Sequence, residues 1–118
     1  MTAVVNLKAN RDWRPNALPE GVAYMGKRLK RGGWDLPQSD WANPCRREAA
    51  PVRAYIAYLR TRPDLVERVG ELRGLTLACW CAPRPCHCDV LAALADGAPF
   101  AFIAGVADTL TAAVEARP

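Results

Sequence analysis

Four of the chain's five cysteines and its single histidine lie between residues 79 and 88, in the run Cys79-Trp80-Cys81-Ala82-Pro83-Arg84-Pro85-Cys86-His87-Cys88. Thiolates and imidazole bind soft metal ions and act as nucleophiles and bases, so any such chemistry must start here. Cys79, Cys81, Cys86 and His87 form a ligand set suited to zinc, although the spacing Cys-x-Cys-x4-Cys-His is not that of a standard finger. Two other readings stand beside it. Cys86 and His87 can form a reactive thiol or anion site at a helix start, with Asp89 orienting the imidazole and Arg84 adding positive charge. Alternatively the cysteines are small buried apolar residues around a satisfied histidine, since cysteine is among the most buried residue types.

The elements around the run must position it. Leu75-Thr76-Leu77-Ala78-Cys79-Trp80-Cys81 follows Gly74 and has the short apolar character of a buried strand. In an extended chain Cys79 and Cys81 share a face, with Cα atoms about 6–7 Å apart, and Trp80 faces the other way. Pro83 and Pro85 end the strand. Cys86 to Ala95 then carries helical spacing at Val90, Leu91 and Leu94 and stops at Asp96-Gly97. The unit is strand, tight loop, helix, with Cys86, His87 and Asp89 in the helix's first turn.

Upstream, Ala3-Val4-Val5-Asn6-Leu7 predicts a first strand, and residues 8–20, rich in Asn, Asp and Pro, predict a loop. Val22-Ala23-Tyr24-Met25 before Gly26 predicts a second strand. Lys27-Arg28-Leu29-Lys30-Arg31 sets four cations beside Gly32-Gly33, either as a mobile phosphate or nucleic-acid clamp or as a solvated loop. Residues 35–47 are irregular. Within them Asn43, held extended before Pro44, can offer an amide to a ligand or cap the next helix, and Trp41 can serve the site or plug the core. From Pro51 the apolar positions Val52, Tyr55, Ile56 and Leu59 recur at helical spacing, with Pro63 as the stop; a second short helix, Asp64 to Leu72, uses Leu65, Val66 and Val69.

Three further stretches agree with the cysteine run in resembling one family. Gly74-x-x-Leu77-x-Cys79-Trp80-Cys81-x-Pro83-x-x-Cys86-His87-x-Asp89-x-Leu91 is similar to the C-terminal signature of the domain of unknown function 4326, found in small phage and bacterial proteins. Tyr24-Met25-Gly26-Lys27 resembles that family's Tyr-Ile-Gly-Arg, Ser39-Asp40-Trp41-Ala42-Asn43-Pro44 its Ser-x-Trp-Gly-Asn-Pro, and Val4-Val5-Asn6 its opening strand. The resemblance covers about residues 3–95. Lys27, Ala42, Cys45 and Cys88 depart from it; Cys88 stands where glycine is usual, which opens the question whether it substitutes as a ligand. The resemblance implies which residues form the site and carries no activity with it.

A chain of 118 residues with 51% apolar content can form one domain, residues 1–118, without disulfide support. An odd cysteine count, packed mostly into ten residues, suits metal or thiol chemistry in a reducing compartment. With no leader pattern and no apolar run of membrane length, the expected location is cytoplasmic, without a membrane partner. The net charge of +4 mildly favours a polyanion. Beyond Gly97, residues 99–116 predict an extra helix that packs on the sheet or forms a homodimer contact.

The element order β, β, α, α, β, α, α predicts an α/β fold: a small single-domain sheet of about three strands flanked by helices, with the third strand central and the Cys/His unit at its carboxyl end. Two functions fit. One is an enzyme acting on a nucleotide or nucleic-acid group, with Cys86, His87 and Asp89 as catalytic residues and Lys27, Lys30, Arg31, Asn43 and Arg84 gripping the phosphate. The other is a non-catalytic nucleic-acid- or protein-binding module with a structural zinc on Cys79, Cys81, Cys86 and His87.

Overall fold

The computed structural model describes residues 2–44, 51–80, 86–100 and 103. Three strands, β1 (Ala3–Asn6), β2 (Val22–Tyr24) and β5 (Thr76–Cys79), form a parallel sheet in the order β1-β5-β2. The strand that carries the first site cysteine is therefore central, as its uninterrupted apolar character requires. Cys79 pairs with Asn6 at the carboxyl end of the sheet.

Side chains alternate across β5 and sort the core into two halves. Leu77 and Cys79 face the helices α1 (Pro51–Arg60), α2 (Pro63–Arg68) and α3 (His87–Ala95), where Val52, Tyr55, Ile56, Leu59, Leu65, Val90 and Leu91 close the larger cluster. Ala78 and Trp80 face the opposite layer, built from Leu7, Trp34 and Leu36. Trp80 meets Trp34 edge to face at 5.4 Å and donates Nε1–H to the Tyr24 hydroxyl. The domain thus has three layers: helices, parallel sheet, and a two-stranded hairpin.

That hairpin corrects the expected loop. β3 (Leu29–Arg31) and β4 (Trp34–Leu36) pair antiparallel around Gly32-Gly33. Both glycines have positive φ, 62° and 86°, as a two-residue turn matching the strand twist demands. Residues 8–20 contain short 3-10 turns at Leu7–Ala9 and Arg11–Trp13. The first helix ends at Arg60, ahead of Pro63 as expected, and Pro63 itself occupies the first turn of α2, where its missing N–H costs no hydrogen bond. Of the C-terminal helix, Phe100 and Ile103 are helical, with Ile103 buried in the core; the rest of 99–116 lies outside the described residues. No described helix is long and apolar enough to cross a membrane.

Candidate functional site

The site forms where β5 ends and α3 begins. Cys86 is the N-cap of α3, in extended conformation, and its backbone N–H donates to Asp89 Oδ2 at 3.1 Å while its Sγ accepts from the Cys88 N–H at 3.5 Å. This reciprocal cap satisfies two donors of the helix start and turns the Cys86 sulfur inward. Cys79 is the last residue of β5, on the helix-facing side, with its Sγ 3.7 Å from the Val5 carbonyl. Cys88 lies in the first turn and is fully buried. As a result the Sγ atoms of Cys79, Cys86 and Cys88 all lie within 4.8 Å of one another.

The neighbouring Cys79 thiol, together with burial, pushes the free Cys88 thiol well above the ordinary range, although the contact with Cys86 works the other way. Without a cation such a thiol keeps its proton, whereas a cation shared by three converging sulfurs would compensate the thiolate charge and displace the protons. They can hold a metal ion.

His87, the first residue of α3, lies beside the thiols. Its Nε2 lies 2.8 Å from the Met25 carbonyl oxygen, its Nδ1 lies 3.5 Å from Cys86 Sγ, and the Tyr55 ring packs edge-on against it at 4.9 Å. A carbonyl only accepts, so Nε2 carries the hydrogen and, in the neutral ring, Nδ1 keeps its lone pair toward the thiol. The imidazole is 8% exposed, so it reaches a partner inside the protein far more readily than one in solvent.

The remaining candidates are spread out. Asn43 is buried and its Nδ2 donates to the Pro51 carbonyl at 3.3 Å, tying the irregular stretch to the start of α1. Lys30 and Arg31 are exposed on β3, with Lys30 opposite Asp35. Lys27 is separated from them: it lines a cavity of about 300 Å³ together with Tyr58 and Arg62 of the helix layer. Cys81 and Arg84 lie outside the described residues. Sequence reasoning did not place Tyr55, Met25 or Tyr58 at the site. The Met25 contribution is a backbone carbonyl, which leaves no side-chain signal, and Tyr55 was visible only as one apolar position of the α1 stripe.

The chain is similar to "Uncharacterized protein R718" of Acanthamoeba polyphaga mimivirus, 30% identical over 86 residues that cover 69% of this chain and 65% of the relative. The chain therefore spans just under two thirds of the length of the curated relative it matches. No solved structure matches it. A family model described as Domain of unknown function (DUF4326) matches residues 5–97, a span that takes in the parallel sheet from Val5 onward, the hairpin, all three helices and the three clustered thiols. By that match and the thiol-bearing strand-to-helix junction at its end, the chain belongs to the DUF4326 family.

Proposed function

We propose that the chain is a non-catalytic binding module in which a zinc ion staples the end of β5 to the start of α3. The observation that carries this is the convergence of the buried Cys79, Cys86 and Cys88 sulfurs within 4.8 Å. Thiolates are soft ligands, and zinc holds them at about 2.3 Å in a tetrahedron, so binding draws the three sulfurs slightly closer than they now lie. The fourth ligand comes from Cys81, two residues after Cys79, or from His87 through Nδ1. The hydrogen bond from His87 Nε2 to the Met25 carbonyl is the outer-shell contact that usually orients a ligating imidazole.

Protein purified without chelator should carry about one zinc per chain, and cobalt substitution should give intense thiolate charge-transfer absorption. Cys88→Ser should lose most of both. A folded wild-type chain that neither retains zinc nor takes up cobalt overturns the reading.

A second reading, an enzyme with Cys86 as nucleophile and His87 as base on a nucleotide or nucleic-acid group, draws on the 3.5 Å contact between Cys86 Sγ and His87 Nδ1. Burial of both residues favours the ligand role. Rapid alkylation of Cys86 by a small thiol reagent in metal-loaded protein would reverse that preference.

A further inference from the structure

The cavity beside Lys27 is separate from the thiol centre, and its lining has an asymmetry of hydrogen-bonding capacity. Gln38, Ser39 and Tyr58 each already spend an acceptor on the fold. The Arg28 backbone N–H donates to Gln38 Oε1 at 2.8 Å, the Trp41 N–H donates to Ser39 Oγ at 3.1 Å, and Arg62 Nη1 donates to the Tyr58 hydroxyl at 2.8 Å. A backbone N–H cannot accept, so the first contact also fixes the Gln38 amide with its NH2 group turned away from Arg28. Beside one remaining lone pair on each oxygen, these residues keep the NH2 of Gln38 and the hydroxyl hydrogens of Ser39 and Tyr58, for which no acceptor is found among the described residues. Lys27 adds an ammonium that makes no ion pair among the described residues, and Arg62 adds a guanidinium held protonated by its hydrogen bonds to Asp64.

The one carboxylate on the wall, Asp40, accepts at 3.3 Å from Arg68, which it shares with Glu71. Across from it the polar lining presents donors that the fold has not used. Such a surface is complementary to a group that only accepts and carries negative charge. A carboxylate has two oxygens, whereas a phosphate monoester dianion offers three and can engage donors arriving from both the Lys27–Ser39 side and α1. The cavity volume of about 300 Å³ lies at the small end of ligand pockets, enough for a phosphate with a modest attached group.

We infer that the cavity between the Lys27 loop and the end of α1 is a binding site for the phosphate monoester group of a small molecule, held by Lys27, Gln38, Ser39, Tyr58 and Arg62. It goes beyond the metal-stapled module and stands without it, because none of its groups is a ligand of the thiol centre. The polar contacts come from three separate stretches, Lys27, Gln38-Ser39 and Tyr58 with Arg62, so the site exists only once the hairpin, the irregular stretch and α1 are assembled.

The test is calorimetric titration of the metal-replete full chain with inorganic phosphate and with a nucleoside 5′-monophosphate, using sulfate and the unphosphorylated nucleoside as controls. Saturable binding of the monophosphate is expected, weaker binding of inorganic phosphate, and none of the nucleoside. Gln38→Glu keeps the acceptor for the Arg28 N–H and exchanges the donor for a negative charge, and should weaken binding by about tenfold or more. Tyr58→Phe should cost roughly threefold to tenfold, the loss of one hydrogen bond. Lys30→Ala with Arg31→Ala, on the exposed hairpin, should leave affinity unchanged. The proposal is overturned by absence of saturable phosphate binding, by wild-type affinity in Gln38→Glu, or by loss of binding in the hairpin double variant, which would mark a diffuse basic surface instead. Zinc content measured on each variant keeps the two sites apart: a failed phosphate titration with full metal leaves the module reading intact.

Discussion

The thiol centre and the cavity beside Lys27 are built by opposite uses of polar atoms. At the thiol centre, Cys86 Sγ takes the Cys88 N–H, Asp89 takes the Cys86 N–H, and His87 Nε2 goes to the Met25 carbonyl, so the groups turn toward one another inside an apolar shell. At the cavity, the fold consumes acceptors and leaves donors at the surface. Burial makes the first region a source of stability once its charge is compensated, and exposure makes the second a place where an outside ion completes the hydrogen bonding. The two are joined by a short path. Tyr55 packs its ring on His87 and donates its hydroxyl to the Trp41 carbonyl at 2.8 Å, next to the cavity-lining Ala42.

The largest expected effect comes from emptying the thiol centre. Chelation at neutral pH should lower the melting temperature by roughly 10 °C or more, since in small thiolate domains metal binding free energy is folding free energy. Hydrogen exchange should show α3 losing protection before α1. Equal loss in both helices would mean that the centre supports the whole core and not one junction.

Gly26→Ala should come next, because it strikes the loop that serves both regions. A Cβ at Gly26 would run into the Tyr24 ring, with the Cζ atom 2.7 Å away. That ring cannot easily retreat, as its hydroxyl donates to the Lys27 carbonyl and accepts from Trp80. A cost of about 2–3 kcal/mol is expected, measured by denaturant unfolding, together with weaker phosphate binding. The Met25 carbonyl on His87 and the Gly26 carbonyl that accepts from the Ser39 N–H would both shift.

Tyr55→Phe separates the two regions. The ring contact with His87 survives, but the buried Trp41 carbonyl loses a donor, at about 1–2 kcal/mol. Zinc content should hold while phosphate affinity falls. Metal loss with unchanged phosphate binding would show that the link runs the other way.

How much of this was legible in the chain differs between the regions for the same reason. The thiol centre is nearly contiguous in sequence: strand apolarity placed Cys79 and the Asp96-Gly97 stop placed α3, while Cys86, expected in the first turn, is the extended N-cap residue just before it. Cys88 was the residue whose role the resemblance left open, and the cap geometry resolves its position, since helix start and sulfur direction are set together by Cys86 and Asp89. The α1 stripe of Val52, Tyr55, Ile56 and Leu59 is buried as its spacing predicted. The cavity was not legible, because its character depends on which lone pairs of Gln38, Ser39 and Tyr58 the fold has already used, and a residue type does not encode that. The basic run was read as one unit, a clamp or a solvated loop, whereas Lys30 and Arg31 lie exposed on β3 and Lys27 lines the cavity. The hairpin's Gly-Gly turn was the available signal, but Leu29, Trp34 and Leu36 alternate over too few positions to read as strands.

The smallest expected effect tests a contact remote from both regions and serves as their control. Asp96, just past α3, accepts from the Thr2 backbone N–H at 3.0 Å and from its hydroxyl at 2.7 Å, tying the entry of β1 to the helix end. The backbone contact first, then the hydroxyl, hold the Asp96 carboxyl below the usual carboxylate range. A carboxyl with a lowered folded pKa stabilises the protein above its unfolded value, near 3.9, and that contribution is lost as pH falls through the lower folded value. Unfolding measured between pH 6 and pH 3 should therefore show a small acid-side loss that Asp96→Asn flattens. Because Thr2 and Asp96 touch neither the thiols nor the cavity lining, zinc content and phosphate affinity at neutral pH should match wild type. If Asp96→Asn instead lowers either of them, the two sites share more of the fold than the path through Tyr55, and their separation would have to be redrawn around the β1–α3 contact.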